Sequence, residues 1–586
     1  MTEKGSNSAK IENMLNLALD TTEQEREKSI SLNVGYDGKT RTWEVVVKFF
    51  GTAEQLRERL REELGQEAEQ IVIYNLSNEY AILNIPESLV EQVAGVPEIE
   101  YMEKPKRLFF AVENGIRNSC INVLQTKAAG DSSLTGRGVI LAVIDSGIDY
   151  AHPDFRNADG SSRILALWDQ TLGKVFEKEE LDRALAQDTE QRRYEICPSR
   201  DLSGHGTIVA GIAAGNGRAS EGRYRGVAYE SSLLAVKLGT PGENGFPRTT
   251  ELMRAVDFCI GRARKERLPV VLNISFGNNY GSHSGTSLLE TYLDDMANYW
   301  KTSIVIGSGN EGNTAMHTAG TLIEGKTENV EIAVSMYEPA LNLQIWKSYV
   351  DEVQIELMAP GGQLIGPFRQ IQRAQRFVLG STELLLYYGE PSPYSAYQEI
   401  YLDFLPVGQF VDSGLWTVRL IPQKIVTGLY NMWLPSGGVL NQGTGFLRPV
   451  SETTLTVPSS AAKVITVGAY DARYGRAANF SGRGYTRVTD RVKPDLVAPG
   501  VEITSCAPGG GYQTRSGTSM ATPFVSGAAA LLMQWGITDG NDPYLYGEKM
   551  RAYLIRGAGK LPGFTKYPNP VLGWGTLCVA ESIPQI

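Results

Sequence analysis

The sequence predicts an α/β chain built around a parallel sheet, with a small N-terminal domain and an inserted all-β domain. The apolar run 139–144, followed by Asp145, is typical of a buried parallel strand. Residues 43–102 follow the β-α-β-β-α-β order of a ferredoxin-like domain. Residues 325–450 hold short strands separated by Gly and Pro turns, which predicts a β-sandwich or jelly roll. A chain of 586 residues is too long for one hydrophobic core.

Composition argues against several classes of function. The formal net charge of −10 and the pI near 5.3 give no basic surface for nucleic acid. No apolar run approaches the ~18 residues of a membrane span, and residues 1–8 lack the apolar segment of a secretory signal. The cysteines are widely spaced and form no C-x-x-C pair. We therefore expect reduced thiols, no nucleic-acid partner and no membrane span.

The N-terminal part is predicted to hold a leader and a compact domain. Residues 1–42 are polar apart from an amphipathic stretch at 11–19, which predicts a helical extension packed on a later part of the chain. A mobile leader is the alternative. Strands and two helices are predicted within 43–102, the first helix after Thr52 and the second from Pro86 to Ala94.

The stretch around Ser519 carries the first candidate for chemistry. Gly517 allows a sharp turn, and the small and apolar residues 524–532 predict a buried helix. Ser519 then lies at the helix N-terminus, where unpaired N–H groups and the helix dipole favour an oxyanion. Taken alone, the serine could equally cap a tightly packed helix.

Two upstream segments supply the partners that a nucleophilic serine needs. Asp145 ends a predicted parallel strand, at the edge where open α/β sheets bind ligands. His205 lies in a Gly-His-Gly-Thr segment before the small-residue helix predicted at 207–214. The chain order Asp, His, Ser is one of the known orders of the catalytic triad.

These motifs resemble those of the subtilisin-like serine proteases, the subtilases. The resemblance rests on five segments that occur in the family's order: 145–149, 204–207, 273–277, 307–312 and 517–521. It covers roughly residues 115–320 and 450–580, with a weaker match over 43–110. It implies a serine endopeptidase in which Ser519 attacks a peptide carbonyl, His205 carries the proton and Asp145 orients the imidazole.

The resemblance also implies binding residues. The side-chain amide of Asn310 and the backbone N–H of Ser519 are expected to hold the oxyanion. A peptide or protein substrate is expected to lie as an added strand near residues 242–245 and along two further segments. The residues of those segments are Ser275, Phe276, Gly277, Gly307, Ser308 and Gly309.

No metal and no cofactor is expected. The segment 215–223 does not reproduce the Asn-rich calcium loop of secreted subtilisins, and Arg218 and Arg223 add positive charge there. His283 and His317 have no partners at ligand spacing, which predicts surface or structural roles.

The long stretch between Asn310 and Ser519 exceeds what the compact family core needs, so the excess is expected to be an inserted domain. The predicted domains are a leader at 1–42, a propeptide at 43–113, a catalytic core at 114–324 and 451–586, and an inserted jelly roll at 325–450. This architecture resembles the Csp-type proteases of spore-forming clostridia, which are linked to spore germination. It implies a cytoplasmic or spore-associated enzyme that activates another protein by limited proteolysis.

The resemblance further implies that the propeptide is cut from the chain by the enzyme itself and stays bound non-covalently as an inhibitor. Two counts along the chain place the junction within Phe109–Gly115. An uncut linker is the alternative.

Two other classes of function are alternatives to a subtilisin-like protease. A catalytically silent pseudoprotease that serves as a binding scaffold would be expected to lack a triad residue, and all three are present here. A hydrolase of the α/β-hydrolase type needs Gly-x-Ser-x-Gly ahead of its Asp and His. The sequence has no such motif, and the candidate serine follows the Asp and the His.

Overall fold

The computed structural model describes residues 9–107, 109–110, 119, 133–240 and 247–584. They form two compact units. Unit 1 comprises Met1–Arg107, Asn278–Leu288 and Thr314–Ser451, and unit 2 comprises Leu108–Gly277, Leu289–Asn313 and Glu452–Ile586. The predicted inserted domain thus belongs to the same unit as the predicted leader and propeptide.

Unit 1 begins with two leader helices and a small α/β domain. Its elements are α1 (Asn13–Leu19), α2 (Glu23–Lys28), β1 (Tyr36–Asp37), β2 (Thr42–Phe49), α3 (Ala53–Leu64), β3 (Val72–Asn75), β4 (Tyr80–Pro86), α4 (Val90–Gly95) and β5 (Ile99–Glu103). The sheet is antiparallel, with β5 and β4 on either side of β2 and β3 beyond β4. This arrangement matches the predicted β-α-β-β-α-β domain.

Helices α2 and α3 begin at sequence-encoded caps. The hydroxyl of Thr22 accepts the N–H of Glu25, and the hydroxyl of Thr52 accepts the N–H of Gln55. In return, the side chains of Glu25 and Gln55 accept the N–H groups of the two threonines. Each capping box satisfies two N–H groups that the helix itself leaves unpaired.

The described part of the leader packs against the rest of unit 1. Ile11 forms a parallel bridge with Met102, and the Glu12 N–H donates to the Met102 carbonyl at 2.9 Å. Helix α1 buries Met14 and Leu15 in an apolar cluster shared with the small sheet. Four side chains of the inserted segment belong to the same cluster: Leu385, Tyr387, Tyr401 and Leu405.

The inserted segment consists of antiparallel strands. They are β14 (His317–Thr321), β15 (Glu328–Val334), β16 (Leu341–Ser348), β17 (Glu352–Met358), β18 (Leu364–Ile365), β19 (Gln375–Leu379), β20 (Thr382–Tyr388), β21 (Tyr397–Pro406), β22 (Gly414–Lys424), β23 (Leu429–Trp433) and β24 (Gly445–Phe446). One sheet has the order β14-β23-β16-β21-β20-β19, and the other β18-β17-β22-β15-β24. Side chains of both sheets, such as Leu402 and Val418, form one buried core.

Unit 2 is built on a sheet of nine strands, most of them parallel. In chain order unit 2 has β6 (Phe109–Phe110), β7 (Ile140–Asp145), β8 (Ile164–Asp169), β9 (Lys174–Glu177), α5 (Lys178–Leu185), α6 (Glu190–Ile196), α7 (His205–Ala214), β10 (Ser232–Lys237), α8 (Thr249–Glu266), β11 (Val270–Ile274), β12 (Phe276–Gly277), α9 (Leu288–Ala297), β13 (Thr302–Gly307), β25 (Ile465–Asp471), β26 (Arg476–Ala477), β27 (Leu496–Pro499), β28 (Ile503–Ala507), β29 (Gly511–Arg515), α10 (Thr518–Met533), α11 (Gly547–Arg556) and α12 (Val579–Ser582). The sheet order is β26-β25-β13-β11-β7-β10-β8-β9, with β27 beside β25.

The centre of this sheet is buried on both faces, as its apolar strands predict. All six residues of β7 are buried, and β7 pairs in parallel with β10 and β11. The apolar stretch Thr518–Thr538, which contains α10, is long enough to cross a membrane, but 83% of its most apolar window is buried in the protein. It is the core helix of unit 2.

Surface or structural roles were expected for His283 and His317, and the structural one fits: both are buried, and their rings stack on Trp433 with centroids 4.1 and 4.7 Å away. One expectation about cysteine needs correction. Cys578 is disulfide-bonded, although reduced thiols were expected, while Cys197, Cys259 and Cys506 are free and buried. Spacing along the chain does not report which cysteines lie close in space.

Candidate active site

Three predicted site segments meet at one edge of the nine-stranded sheet. Asp145 is the last residue of β7, Ser275 follows β11, and Asn310 comes shortly after β13. These strands are neighbours and parallel, so their carboxyl ends lie side by side. Such an edge is where open α/β sheets bind ligands.

The carboxylate of Asp145 is fixed from two sides. Its Oδ1 lies 2.7 Å from His205 Nδ1 and also accepts the backbone N–H of Ser146 at 2.7 Å. Asp145 and His205 are both buried, with 0% and 1% of their surface exposed. A carboxylate in this position holds the imidazole in one tautomer and stabilises its protonated form.

His205 is the first residue of α7, and close packing brings it to Asp145. A Cβ on the next residue, Gly206, would lie 2.0 Å from the carbonyl oxygen of Gly147. Only glycine therefore lets the start of α7 approach the loop after β7 this closely.

Asp201 anchors the start of α7, and sequence reasoning missed it. Its Oδ1 accepts the N–H of Gly204 and the hydroxyl of Ser146, and its Oδ2 accepts both the N–H and the hydroxyl of Thr207. The hydroxyl of Ser146 in turn accepts the N–H of Gly206. An acidic residue just ahead of the predicted helix was a usable signal, because carboxylates are favoured at helix N-termini.

Ser519 lies in the first turn of α10, as predicted. Gly517, which precedes the helix, has a φ of 148°, a value that glycine adopts far more readily than other residues. The Ser519 side chain is buried, and its hydroxyl faces the carbonyl oxygen of Ser275 at 3.5 Å. Phe276 is next along that strand, and its ring centroid lies 6.4 Å from that of His205. Ser519 and His205 thus both lie against the segment 275–277.

The amide of Asn310 is oriented by the residue before the serine. The backbone N–H and the hydroxyl of Thr518 donate to Asn310 Oδ1 at 3.0 and 3.1 Å. Since both bonds use the oxygen, the NH₂ group is the end that can donate to a developing negative charge.

The chain places its own strand along the predicted substrate-binding segment. Strand β6 pairs antiparallel with β12, with Phe110 opposite Phe276 and Phe109 opposite Gly277. An added antiparallel strand is the way in which we expect an extended peptide to bind. The predicted contribution of residues 242–245 falls outside the described residues.

Thr456 closes the space between the two predicted substrate-binding segments, and no local sequence pattern marks it. A Cβ on Gly277 would lie 2.3 Å from Thr456 Oγ1, and one on Gly309 would lie 2.5 Å from Thr456 Cγ2. The Thr456 N–H also donates to the Ser308 carbonyl at 3.1 Å. Gly307 lies against Thr518 and Thr522 of α10. Thr456 therefore leaves little room beside Gly277 and Gly309.

A buried cluster near the predicted metal-free loop has groups of the kind that bind metals. His152, Asp154 and Cys506 place ligand-type atoms within 4.8 Å of one another. These atoms already have protein partners: His152 Nε2 contacts the Gly511 carbonyl at 2.9 Å, and Asp154 accepts from the Tyr512 hydroxyl at 2.9 Å.

The loop 215–223 supplies a further donor to this cluster. The Ala219 N–H donates to Asp154 Oδ1 at 2.8 Å, and Arg218 donates to the carbonyl of Asn157. Burial and the neighbouring Asp154 raise the pKa of the Cys506 thiol well above its ordinary value, so the thiolate that a metal would need is disfavoured. The absence of a metal stays a prediction.

Two family models match the chain. The model described as "Csp protease B prodomain" matches residues 9–106. The model described as "Subtilase family" matches residues 136–397 and 441–575, which is more than half of the chain.

Curated relatives include secreted and other bacterial proteases. The minor extracellular protease Vpr of Bacillus subtilis is 25% identical over 489 residues, which are 78% of this chain and 52% of the relative. A PII-type proteinase of Lacticaseibacillus paracasei is 24% identical over 527 residues, 83% of this chain and 27% of the relative. The chain thus spans between about a quarter and a half of these relatives.

A solved structure matches more completely. The CspB protease of Clostridium perfringens is 37% identical to this chain with a TM-score of 0.75. The match covers 79% of this chain and 95% of the CspB chain.

Proposed function

The chain belongs to the subtilase family, and from this premise we propose that it is a serine endopeptidase that cuts its own propeptide. The observation that carries the proposal is the contact of 2.7 Å between Asp145 and His205 at the sheet edge where Ser519 and Asn310 also lie. The match of the prodomain model to residues 9–106 supports a propeptide role for that segment.

The proposed reaction is acyl transfer to water. Ser519 Oγ attacks the peptide carbonyl while His205 takes its proton, and Asp145 stabilises the resulting imidazolium. The Ser519 backbone N–H and the Asn310 amide hold the oxyanion. His205 then gives the proton to the leaving amine, and a water activated by His205 cleaves the acyl-enzyme.

We place the self-cleavage between Ala111 and Val112. In the register of β6 with β12, Phe109 lies opposite Gly277 and Phe110 opposite Phe276. A peptide continued by one residue in that register would reach Ser275, whose carbonyl faces the Ser519 hydroxyl. The little room that Thr456 leaves beside Gly277 and Gly309 favours a small side chain at that position, and residue 111 is alanine. This position lies within the predicted range Phe109–Gly115, whose residues 111–115 are outside the described residues.

Intact-mass analysis of purified protein tests this proposal. Wild type should give two fragments divided after Ala111, which co-elute on a sizing column, whereas Ser519→Ala should remain one chain. An uncut wild type, or the same cut in Ser519→Ala, would refute self-processing. Ser516→Ala, three residues ahead of the nucleophile, is the matched control and should be cut like wild type.

Labelling with a fluorophosphonate separates the live enzyme from the pseudoprotease. The probe reacts covalently with an activated serine, so wild type should be labelled and Ser519→Ala should not. A wild-type protein that stays unlabelled, although it carries all three triad residues, would favour the binding scaffold.

The biological role is inferred from the likeness to CspB protease. We propose limited proteolysis that activates another protein during spore germination, in a cytoplasmic or spore-associated setting. We also propose that the two antiparallel sheets of the inserted segment form a jelly roll. Deletion of the gene in a spore-forming host should slow germination, and a complementing Ser519→Ala copy should fail to restore it.

A further inference from the structure

Strand β21 carries ionisable residues on a face that the N-terminal segment covers. Its alternate residues Ile400 and Leu402 enter the core between the two sheets of the inserted segment. Glu399 and Asp403 lie on the opposite face, and 5% and 0% of their surface is exposed. Side chains of the leader and of the chain after β5 contact this face. Two carboxyl groups are therefore buried in the middle of a contact between chain segments.

Glu399 has weak compensation for its burial. Asn13 of the leader donates to it at 3.4 Å. The neighbouring ammonium group, Lys106, already pairs with Glu12 at 2.8 Å and with Glu103. Burial raises the pKa of Glu399 to about 7, and the negative charge of Glu12 adds to the effect while Lys106 opposes it.

Asp403 is in a similar position, four residues further along β21 on the same face. Burial raises the pKa of Asp403 to about 7, against the opposing effects of Ser29 and Lys104. Lys104 Nζ donates at 2.6 Å to the carbonyl of Ser31, whose hydroxyl lies 2.6 Å from that of Tyr401. Burial also lowers the pKa of Lys104 to about 7.

The charges around these two groups do not balance when every carboxyl group is ionised. The carboxylates are Glu12, Glu103, Glu399 and Asp403, and the buried ammonium groups that face them are Lys104 and Lys106. The exposed Arg107 also acts on Lys104, and the hydroxyls of Tyr101, Tyr280 and Tyr401 lie among these groups. Glu390 and Tyr394 line the cavity beside Glu399. A surplus of buried negative charge is costly, so the compact arrangement favours protons on two carboxyl groups.

We propose that the contact between residues 9–107 and the outer face of β21 is a proton-linked latch. It holds while Glu399 and Asp403 are protonated and loosens when they lose their protons. A cavity of about 60 Å³ adjoins Glu12, Glu103, Lys106 and Glu399, which gives water a place to enter when Glu399 ionises. The latch is independent of the catalytic serine.

The sign of the pH effect follows from the direction of each pKa shift. Glu399 and Asp403 have ordinary pKa values of 4.5 and 3.8, and the contact raises both to about 7. Their contribution to the contact is full below pH 4 and is lost as the pH rises to 7. Lys104, whose pKa is lowered, opposes the contact most strongly below pH 7, and this cost is relieved only between pH 7 and 10.5. The contact should therefore weaken from pH 5 to pH 7.5.

The test uses an inactive variant of the chain that is cut by a different protease. In Ser519→Ala, the recognition site of an unrelated sequence-specific protease replaces residues 112–117, and the purified full chain is cut there. Release of the N-terminal fragment is measured by sizing chromatography after dilution at pH 5 and at pH 7.5. We expect the dissociation constant to rise on the order of 1,000-fold between these values, because each carboxyl group contributes roughly 60-fold and Lys104 offsets only a few-fold.

Neutral variants of the same shape test whether the two carboxyl groups cause the pH dependence of fragment release. The double variant Glu399→Gln/Asp403→Asn should hold the fragment at pH 7.5 nearly as tightly as at pH 5. Glu352→Gln, at an exposed carboxyl group of the same inserted segment, should behave like the parent. An unchanged pH dependence in the double variant, or none in the parent, would overturn the latch.

Infrared spectroscopy gives a second readout that needs no dissociation. The uncut Ser519→Ala chain should show the C=O stretching band of buried protonated carboxyl groups at pH 6, and Glu399→Gln and Asp403→Asn should each remove part of it. If both single variants show the same C=O band as the parent chain, the proposal is contradicted, even if the double variant does not fold.

Discussion

The two units bury carboxyl groups in different places along a strand, and the difference decides how each is held. Asp145 ends β7, so the N–H of Ser146 and the first residue of α7 can be directed at it. Asp403 lies in the middle of β21, where the backbone groups on both sides belong to the ladders with β16 and β20. A carboxylate at a strand end is fixed by the local backbone, whereas one in mid-strand depends on side chains from other segments.

The strongest test of this difference removes one directed donor from unit 2. Asn310→Ala should lower kcat on the order of 10²–10³-fold, the size known for the corresponding donor of subtilisin itself, because the oxyanion loses one hydrogen bond. Turnover of a peptide substrate measures it. Asn342→Ala, at a fully buried amide on β16 of unit 1, is the control and should change stability but not kcat. Equal losses of kcat in the two variants would erase the distinction between the units.

A second test sharpens the role of Thr456. Thr456→Gly should open the space that Thr456 fills beside Gly277 and Gly309, which raises kcat/KM for substrates with a large side chain before the cut about 10- to 100-fold relative to alanine. Competition between two peptides that differ only at that position measures the ratio. Thr504→Gly, on the exposed pair with Thr514, is the control and should leave the ratio unchanged. An equal change of the kcat/KM ratio in both variants would contradict the role of Thr456 in limiting the size of that side chain.

The smallest expected effect concerns the packing that joins α7 to β7. Gly206→Ala should lower the free energy of unfolding by about 1–3 kcal/mol, because its Cβ would lie 2.0 Å from the Gly147 carbonyl oxygen. Gly261→Ala in α8, where no atom of the described residues lies within 4 Å of the added Cβ, should raise it by about 0.5–1 kcal/mol. Urea unfolding measures both. Changes of opposite sign in the free energy of unfolding support close packing at Gly206, and changes of the same sign would contradict it.

The candidate catalytic residues could be proposed from the sequence because each lies in a local pattern. Asp145 follows an apolar strand, and His205 and Ser519 each precede a run of small residues that must form a buried helix. The parallel-sheet core and the small N-terminal domain could be predicted for the same reason, since strands and helices leave periodic patterns.

The rest depends on contacts between distant parts of the chain. Thr456 meets Gly277 and Gly309 from far along the sequence, and no local pattern marks it. The stacking of His283 and His317 on Trp433 is of the same kind. A leader helix could be predicted from its periodicity, but its contact with the inserted segment could not, because periodicity gives the apolar face and not the partner.

Strand β6 makes only a two-residue ladder with β12, and its covalent attachment changes what such a short ladder can do. A free peptide of that length would bind weakly, yet a tethered one competes at an effective concentration in the millimolar range. In the uncut chain, a separate substrate molecule must compete with the tethered β6 for binding along β12, so even a good substrate binds poorly. One cut converts the competitor into a separate molecule, whose occupancy then depends on dilution.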